Sequence, residues 1–395
     1  MPRRPIAAGA VLVALICQLP TIASASPVYT PASRDTVLLR HAPRPASLPA
    51  TSRADAPAAA IIARAAIESG RATGDPREFG RAQAALAPWW QVPVPPASLL
   101  LLRATLKQQK HDFSGALADL ELLLKQAPRD AQAHLTRASI FLATGQPALA
   151  KRDCAALIAQ ASLLTLSTCV AAAGAVNGQA ADALASLNRA LSRAAEAPIA
   201  ERLWARTLLA EVAAAQGDKT AAAAAFDTAL GEAGAANISD PYLLAAAADF
   251  WLDSGAAARV PPLLNDHTAN DGLLLRLALA QDALVASGNR TLTPERNASV
   301  QALRERQALA RARGETFHAR EEGRFALYLE HDAPRALALA QQNWASQREP
   351  ADARLLLEAA AAAGRPAAAE PVKSWMQSTG IEDQHLNAAL AALPH

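Results

Sequence analysis

The side chains of this sequence that could do chemistry are a few histidines, carboxylates and cysteines. The densest polar group is Asp266, His267, Asn270 and Asp271, within the stretch LLNDHTANDG. Carboxylate, amide and imidazole atoms at this spacing could hold a divalent cation. However, aspartate and asparagine are also the residues that cap helices, and we expect a capping role here.

His318, Glu321 and Glu322 form a second possible ligand group, because residues three and four apart share one helix face. We favour a surface ion pair over a metal site at this place. The sequence contains no HExxH motif, no phosphate-binding glycine motif and no GxSxG or SxxK nucleophile motif. It therefore predicts no catalytic residue, no metal and no cofactor, although carboxylates that meet across helices would escape this search.

The composition indicates which elements position these side chains. The 395-residue chain is 51% hydrophobic but only 4% aromatic, so alanine and leucine must supply most of the core. Both residues favour helices, and the alternating β-branched runs that are typical of strands are nearly absent. The sequence therefore predicts an all-α protein.

One stretch, from Asp130 to Leu157, contains a complete helix-turn-helix unit. Apolar residues recur at helical spacing as far as Leu142, and Gly145 and Pro147 then interrupt the pattern. A glycine can take the left-handed conformation that ends a helix, and a proline fits the first turn of the next one. Neither helix can bury its apolar face alone, so the unit is stable only when it stacks on similar neighbours.

The same interruption recurs along the chain at intervals of 33 to 43 residues. The predicted turns are at Gly74, His111, Gly145, Gly178, Gly217, Gly255, Gly288, His331 and Gly364. Alanine stands seven residues before five consecutive turns, at Ala104, Ala138, Ala171, Ala210 and Ala248. It also stands five residues after most turns, at Ala116, Ala150, Ala183, Ala222, Ala336 and Ala369. Together with strings such as HDFSGAL and GQPALA, this spacing resembles the tetratricopeptide repeat, whose period is about 34 residues.

The resemblance covers the chain from about Ala54 to the C-terminus. It implies an all-α, right-handed superhelical solenoid of about nine antiparallel helix pairs, with a capping helix over residues 382–393. The chain departs from the family's pattern in lacking most of its early tryptophans and tyrosines. Gln281 and Thr293 also occupy positions where a small residue is usual, so we expect an irregular repeat over residues 271–314.

Residues 1–25 have the pattern of a secretory signal. Arg3 and Arg4 precede an apolar run, and Ala23-Ser24-Ala25 is a typical cleavage site. Residues 26–53 are rich in proline and alanine and predict a tether, whose apolar Val37-Leu38-Leu39 docks either on the first repeat or on a partner. Cys17 could instead mark a lipid anchor, but Ile16 is bulky for such a site. We expect an exported protein, periplasmic or secreted, with no transmembrane segment after signal removal.

The charge balance bears on the class of partner. Removing Arg3 and Arg4 with the signal leaves 36 basic residues against 36 acidic ones, which argues against nucleic acid as a partner. The arginine cluster at Arg304, Arg306 and Arg311 is interrupted by glutamates, so we expect a solvated helix face with ion pairs.

Two features of the sequence leave alternatives open. In an oxidising compartment, Cys154 and Cys169 either form a disulfide between adjacent repeats or remain two small buried side chains. The paired Trp89 and Trp90 either cap the end of a core, which we favour, or form a binding ledge.

The resemblance also implies a concave groove lined by the first helix of each pair. By the family's pattern, its lining would be Gln132, Leu135, Ser139, Thr168, Trp204, Thr207, Glu211, Tyr242, Asp249, Arg354 and Glu358. Lysine and asparagine are scarce in this set, so an acidic tail is a poor ligand. The mixed aromatic, hydroxyl and acidic lining favours a peptide with some apolar and basic character.

The leading hypothesis is a non-enzymatic scaffold in the cell envelope that binds a partner protein or peptide on its concave face. The alternative is a module that binds a small molecule, a metal or a cell-wall glycan, either at the loop of Asp266 to Asp271 or at Trp89 and Trp90. An enzyme built from carboxylates of different helices is the third and weakest hypothesis.

Overall fold

The helices of this chain begin at capping residues and end at left-handed turns. A computed structural model describes residues 55–73, 75–312 and 319–394. The predicted signal and tether, the turn at Gly74 and His318 lie outside the described residues.

The described residues form helices and no strands. In chain order the helices are α1 Ala56–Thr73, α2 Pro76–Ala85, α3 Ala97–Gln109, α4 Phe113–Gln126, α5 Ala131–Ala143, α6 Pro147–Ala155, α7 Leu163–Ala175, α8 Ala180–Leu191, α9 Ile199–Ala215, α10 Lys219–Ala235, α11 Pro241–Asp253, α12 Val260–Leu264, α13 Asp271–Ala286, α14 Thr293–Ala312, α15 Ala319–Tyr328, α16 Ala333–Trp344, α17 Pro350–Ala362, α18 Glu370–Thr379 and α19 Gln384–Ala391. Each odd-numbered helix from α1 to α17 packs against the even-numbered helix that follows it. We number these pairs as hairpins 1 to 9 in chain order, with α19 after the last.

Left-handed residues end the first helix of the hairpins. Backbone φ is positive at His111, Gly145, Gly178, Gly217, Gly255, Gly288, His331 and Gly364, with values between 55° and 109°. All eight are predicted turn positions, so the predicted turn inside each helix pair is found wherever the structure describes it. Histidine adopts this conformation less readily than glycine, and the His111 ring stacks on Phe113 with 5.5 Å between centroids.

Small residues let the paired helices approach closely. The predicted alanines are all buried, and Ala104, Ala116, Ala210, Ala222 and Ala248 have no exposed surface. The predicted all-α solenoid of antiparallel helix pairs is therefore confirmed, while the handedness of its superhelix stays a prediction.

The structure places the two tryptophans and the polar loop in structural roles. Trp89 is 3% exposed and packs with α1 and α3 in the first apolar cluster. Asn270 caps α13 by accepting the Leu273 N–H at 3.1 Å, and Asp271 pairs with Arg306 at 2.7 Å. Core packing thus accounts for Trp89, and helix capping and ion pairing account for Asn270 and Asp271.

The repeat is least regular in hairpins 6 and 7. The helix α12 has five residues, whereas α14 has 20 and buries only three of them. Arginines of α14 pair with acids of other elements, as in Arg304 with Glu330 at 2.9 Å and Arg311 with Glu322 at 2.9 Å. The ion-paired face expected for this arginine cluster is confirmed for these residues.

None of the helices in the described part of the chain combines the length and the apolar character that a membrane crossing requires. The last helix, α19, packs against α17 and buries Leu386 and Ala389.

A disulfide joins Cys154 of α6 to Cys169 of α7, across hairpins 3 and 4. We expect the Cys154→Ala, Cys169→Ala variant to lose about 3 kcal/mol of unfolding free energy, because a bond that closes a loop of about 15 residues restricts the unfolded chain by that amount. Urea unfolding of the oxidised protein, the reduced protein and the variant measures the loss. Equal midpoints for all three would show that the bond adds no stability.

Candidate functional site

The first helices of hairpins 5 and 6 place a tyrosine and a carboxylate together on the side that the repeat pattern predicts to be concave, called the concave side below. The Tyr242 hydroxyl of α11 donates a hydrogen bond to the Glu211 carboxylate of α9, at 2.7 Å from Oε2 and 2.8 Å from Oε1. Tyr242 nevertheless keeps 58% of its surface exposed. The pair therefore offers an aromatic ring, held by its hydroxyl, to whatever enters the concave side.

Arginine and carboxylate side chains of later hairpins surround this pair. Asp249 of α11 accepts hydrogen bonds from Arg276 of α13 at 2.6 Å and from Arg324 of α15 at 2.8 Å. Arg354 of α17 pairs with Asp253 of α11 at 2.6 Å. First helices that are distant in the sequence thus meet around a common polar interior.

Two further groups complete this interior. Arg320 of α15 donates to Asp352 of α17 at 2.9 Å and pairs with Glu349. Arg354 also donates to Glu358 at 2.8 Å, and the Tyr328 hydroxyl donates to the same carboxylate. These bonds connect α15 to α17, so the polar interior is built largely from ion pairs within the chain.

The two acids on α9 and α11 have opposite pKa shifts. Burial raises the pKa of Glu211 to about 7, with the Tyr242 hydrogen bond acting against the rise and the nearby Glu349 and Asp249 adding to it. Burial would also raise the pKa of Asp249, but Arg276 and Arg324 outweigh it and hold this pKa to about 2. Glu211 is therefore the acid of this pair whose charge no cation of the described chain offsets.

This difference predicts a pH dependence of stability that arises at Glu211. The folded protein holds the Glu211 proton up to about pH 7, whereas the unfolded chain releases it near its ordinary pKa of 4.5. The unfolding free energy should therefore fall as the pH rises from about 4.5 to 7, because the folded state then binds more protons than the unfolded one. Urea unfolding between these pH values measures the slope.

Glu211→Gln should reduce this slope, because an amide does not titrate. The control is Glu232→Gln: burial opposes, but Arg206 and Arg202 together lower the pKa of Glu232, so its removal should not reduce the same slope. An unchanged slope in Glu211→Gln would assign the dependence to another group.

A cavity of about 290 Å³ lies between the first helices of hairpins 2 and 3 and the loop between α16 and α17. Gln108 and Ser139 line it from α3 and α5, and Gln347 and Glu349 line it from the loop side. The Gln108 amide donates to the Ser139 hydroxyl at 3.0 Å. The charge of Glu349, which lines this cavity, also raises the pKa of Glu211.

Several residues of the predicted groove are accessible. Gln132, Ser139 and Tyr242 are exposed, and Leu135, Trp204 and Glu211 are partly buried. Leu135 and Trp204 pack beside the disulfide of hairpins 3 and 4 in one apolar cluster.

The prediction that Thr168 and Thr207 line the groove is wrong, because both side chains are buried. Their exposed fractions are 0% and 1%. Each hydroxyl donates at 2.8 Å to the carbonyl one turn earlier in its own helix, at Leu164 and Leu203. The physical reason is that α7 and α9 pack directly on each other and cover this row of positions. Three other predicted groove residues face the polar interior but already form ion pairs within the chain. They are Asp249, Arg354 and Glu358.

Sequence reasoning missed most of the partners of these residues. Arg320 and Arg324 are one turn apart on α15, and that spacing was the available signal that both face one side. Their partners Asp249 and Asp352 are 75 and 32 residues from them, so the pairing depends on tertiary structure. Within the described residues, no group of three or more histidine, cysteine or acidic side chains could hold a metal ion.

Comparisons with known proteins add little to this geometry. No family model and no curated protein matches the chain. Among solved structures, the tetratricopeptide domain of P58(IPK) matches at 15% sequence identity and a TM-score of 0.25, covering 85% of this chain and 96% of that chain. The assignment as an array of antiparallel helix hairpins rests on the turns and buried alanines described above.

Proposed function

We propose that the chain is a non-enzymatic scaffold that binds a segment of a partner protein on the concave side of hairpins 3 to 6. The observation that carries this proposal is Tyr242, which is 58% exposed although protein surrounds its hydroxyl and raises its pKa. Aromatic side chains that are fixed in place yet accessible are typical anchors of protein interfaces.

The neighbouring accessible residues suit a peptide segment. Gln132 and Ser139 offer hydrogen-bonding groups of the kind that recognise a peptide backbone, and Trp204 offers apolar surface. Glu211 adds a carboxylate that no cation of the described chain offsets. A segment with one basic side chain beside apolar ones fits this combination.

The location of this partner follows from the predicted signal. If residues 1–25 direct export, the partner is another envelope protein, periplasmic or at the outer membrane. Cross-linking in cells that produce the tagged protein, followed by purification under denaturing conditions, identifies what is bound.

Tyr242→Ala should weaken partner binding by about 2 kcal/mol, roughly 30-fold, which is the scale of an interface anchor. The matched control is Leu309→Ala, because Leu309 is 59% exposed on α14, outside the proposed surface. Tyr242→Phe separates the ring from its hydrogen bond to Glu211. Titration calorimetry with the partner identified by cross-linking measures the binding affinities of all three variants. Equal affinities of Tyr242→Ala and the unsubstituted protein would refute the site.

Asp249 is a poor choice for this test, although it belongs to the predicted groove. Its removal would leave Arg276 and Arg324 without their shared carboxylate, so lost binding would report a damaged fold.

A further inference from the structure

A second cavity lies among α16, α17 and α18, and we call it the tryptophan cavity. Its volume is about 350 Å³, which is within the roughly 300–1,000 Å³ of pockets that hold small ligands. None of its lining residues is acidic, and Arg348 is the one charged residue among them. None of them is a predicted groove residue, and none lines the cavity beside Gln347 and Glu349. The tryptophan cavity is therefore a separate candidate site.

Two tryptophans form the aromatic wall of this cavity. Trp344 of α16 and Trp375 of α18 meet edge to face, with 5.6 Å between ring centroids and 84° between ring planes. They are 6% and 7% exposed, and both belong with Leu356 of α17 to one apolar cluster. Leu356 and Pro371 add further apolar lining. Because this packing holds the rings in place, the cavity offers a fixed surface that suits a ring or another flat apolar group.

Arg348 brings a positive charge to this apolar cavity. Its side chain is exposed and forms no ion pair or hydrogen bond with any residue that the structure describes. The arginines of the polar interior differ in this respect, since Arg320 pairs with Asp352 and Arg324 with Asp249. A guanidinium stays charged and has five N–H donors. Those of Arg348 are therefore available to an anion from outside the chain.

Contacts with hairpin 3 and with α17 hold the backbone and the first side-chain atoms of Arg348. Its N–H donates to the Ala143 carbonyl at 2.8 Å. A Cβ atom at Gly145 would lie 2.9 Å from Cβ and 3.2 Å from Cδ of Arg348, so this close contact needs a glycine. The Asn343 amide donates to Asp352 at 2.6 Å and ties the end of α16 to α17. The arginine is thus placed beside the cavity before any ligand binds, which lowers the entropy cost of binding.

The chemistry of this lining selects the class of ligand. A guanidinium can bind both oxygens of a carboxylate through two parallel hydrogen bonds. A carboxylate carries one charge and meets one cation here, and the Gln341 amide adds a neutral donor to the lining. We propose that the tryptophan cavity binds a small carboxylic acid with an aromatic or flat apolar body, whose carboxylate pairs with Arg348 and whose body lies against Trp344 and Trp375. This proposal does not rest on the function proposed above, because it uses other residues.

Phenylacetate is a suitable probe, because it joins an aromatic ring to one carboxylate. Its binding can be followed by nuclear magnetic resonance of the indole N–H groups of the full chain, with Trp344→Phe and Trp375→Phe assigning the two signals. These two signals should shift and saturate, whereas those of Trp89 and Trp251, which do not line the cavity, should stay in place. Phenylacetamide has the same ring without the charge and should bind at least about tenfold more weakly. Absence of saturable shifts at Trp344 and Trp375, or equal affinity for acid and amide, would overturn the proposal.

Two substitutions test the charge and the space separately. Arg348→Gln should weaken phenylacetate binding at least about tenfold and change phenylacetamide binding little. Its matched control is Arg365→Gln, which removes another exposed arginine that does not line the cavity and should leave both affinities unchanged. Ala345→Leu adds volume to the lining and should weaken the binding of both probes. Equal losses in the two arginine variants would mean that phenylacetate responds only to net charge, and unchanged binding in Ala345→Leu would place it elsewhere; either result would overturn the proposal.

Discussion

Replacing Arg103 by alanine should lower the free energy of unfolding of the N-terminal hairpins by about 3 kcal/mol, the upper end of the roughly 1.5–3 kcal/mol that hydrogen bonds to charged groups contribute. Arg103 is 5% exposed and Asp119 is 2% exposed. The guanidinium donates to Asp119 at 2.5 and 2.8 Å. It also donates to the carbonyls of Trp89 at 2.8 Å and Val92 at 2.9 Å. The variant therefore removes several buried hydrogen bonds at once and leaves Lys107, at 2.8 Å, as the cation that pairs with Asp119.

The loss should be local, because each hairpin of a solenoid contacts mainly its neighbours. Hydrogen exchange should accelerate in α1 to α4 and remain slow in α9 to α13, whose apolar cluster is separate. Lys125→Ala is the control, since its exposed pair with Glu121 should contribute at most about 1 kcal/mol. Uniform acceleration along the chain, or no acceleration in α1 to α4, would contradict this reading of Arg103.

The fold was predictable because its signals are local. A turn such as Gly145 needs a residue that tolerates positive φ, and the buried Ala138 and Ala150 must be small whatever the rest of the chain does. These requirements recur in every hairpin, so their spacing alone specifies helix, turn and packing. His111 shows the same logic, since it adopts the glycine conformation with φ of 58°.

The candidate site was predictable only in part, because its chemistry depends on contacts across hairpins. The position of Tyr242 follows from the repeat register, and the structure leaves it accessible. The same register also places Thr168 in the groove, but α7 packs directly on α9 and the Thr168 side chain is buried, which no local pattern reveals. Asp249 faces the polar interior as predicted. Its carboxylate, however, already accepts a hydrogen bond from Arg324, which lies 75 residues later in the chain. Local spacing therefore predicts which side of a helix faces inward, and tertiary contacts decide what remains free.

The contact of α16 to α19 with the turns of earlier hairpins was not predictable either, because it also depends on tertiary structure. The turns at Gly145, Gly178 and Gly217 look alike in the sequence, and each has a sufficient local explanation as a left-handed turn. Their second role appears only when Arg348, Gly380 and Gln384 lie against them. Because the left-handed turn already explains each of these glycines, the sequence alone does not indicate that the same glycine also contacts a later helix.

Replacing Asp352 by alanine should lower the free energy of unfolding by about 3 kcal/mol, because three donors would lose one buried acceptor together while Arg320 keeps its ion pair with Glu349. Asp352 is 1% exposed. Its carboxylate accepts from Arg320 at 2.5 Å, from the Asn343 amide at 2.6 Å and from the Glu349 N–H at 2.8 Å. The third bond caps the start of α17, so the variant weakens this helix and its attachment to α15 at once.

Asp352→Asn separates these effects. An amide oxygen can still accept the Glu349 N–H, so the cap is retained, whereas the charge opposite Arg320 is lost. We expect its cost to be smaller than that of alanine, and both are measured by urea unfolding with hydrogen exchange in α16 to α18. If both substitutions lower the free energy of unfolding by less than about 1 kcal/mol, Asp352 behaves as a surface acid. Its hydrogen bonds would then not be needed to attach α17 to α15.

The damage from Asp352→Ala should stop at α15. That helix contributes Phe325 to the apolar cluster of hairpins 5 to 7, together with Leu329 just after its end, and it contributes Ala326 and Leu327 to the cluster that it shares with α16 to α19. Loss of the polar bonds to α17 leaves the first set of contacts in place. Amide hydrogen exchange should therefore become faster in α16 to α18 while α9 to α13 keep their protection. Faster exchange in α9 to α13 as well would mean that α16 to α18 and these hairpins unfold as one cooperative unit.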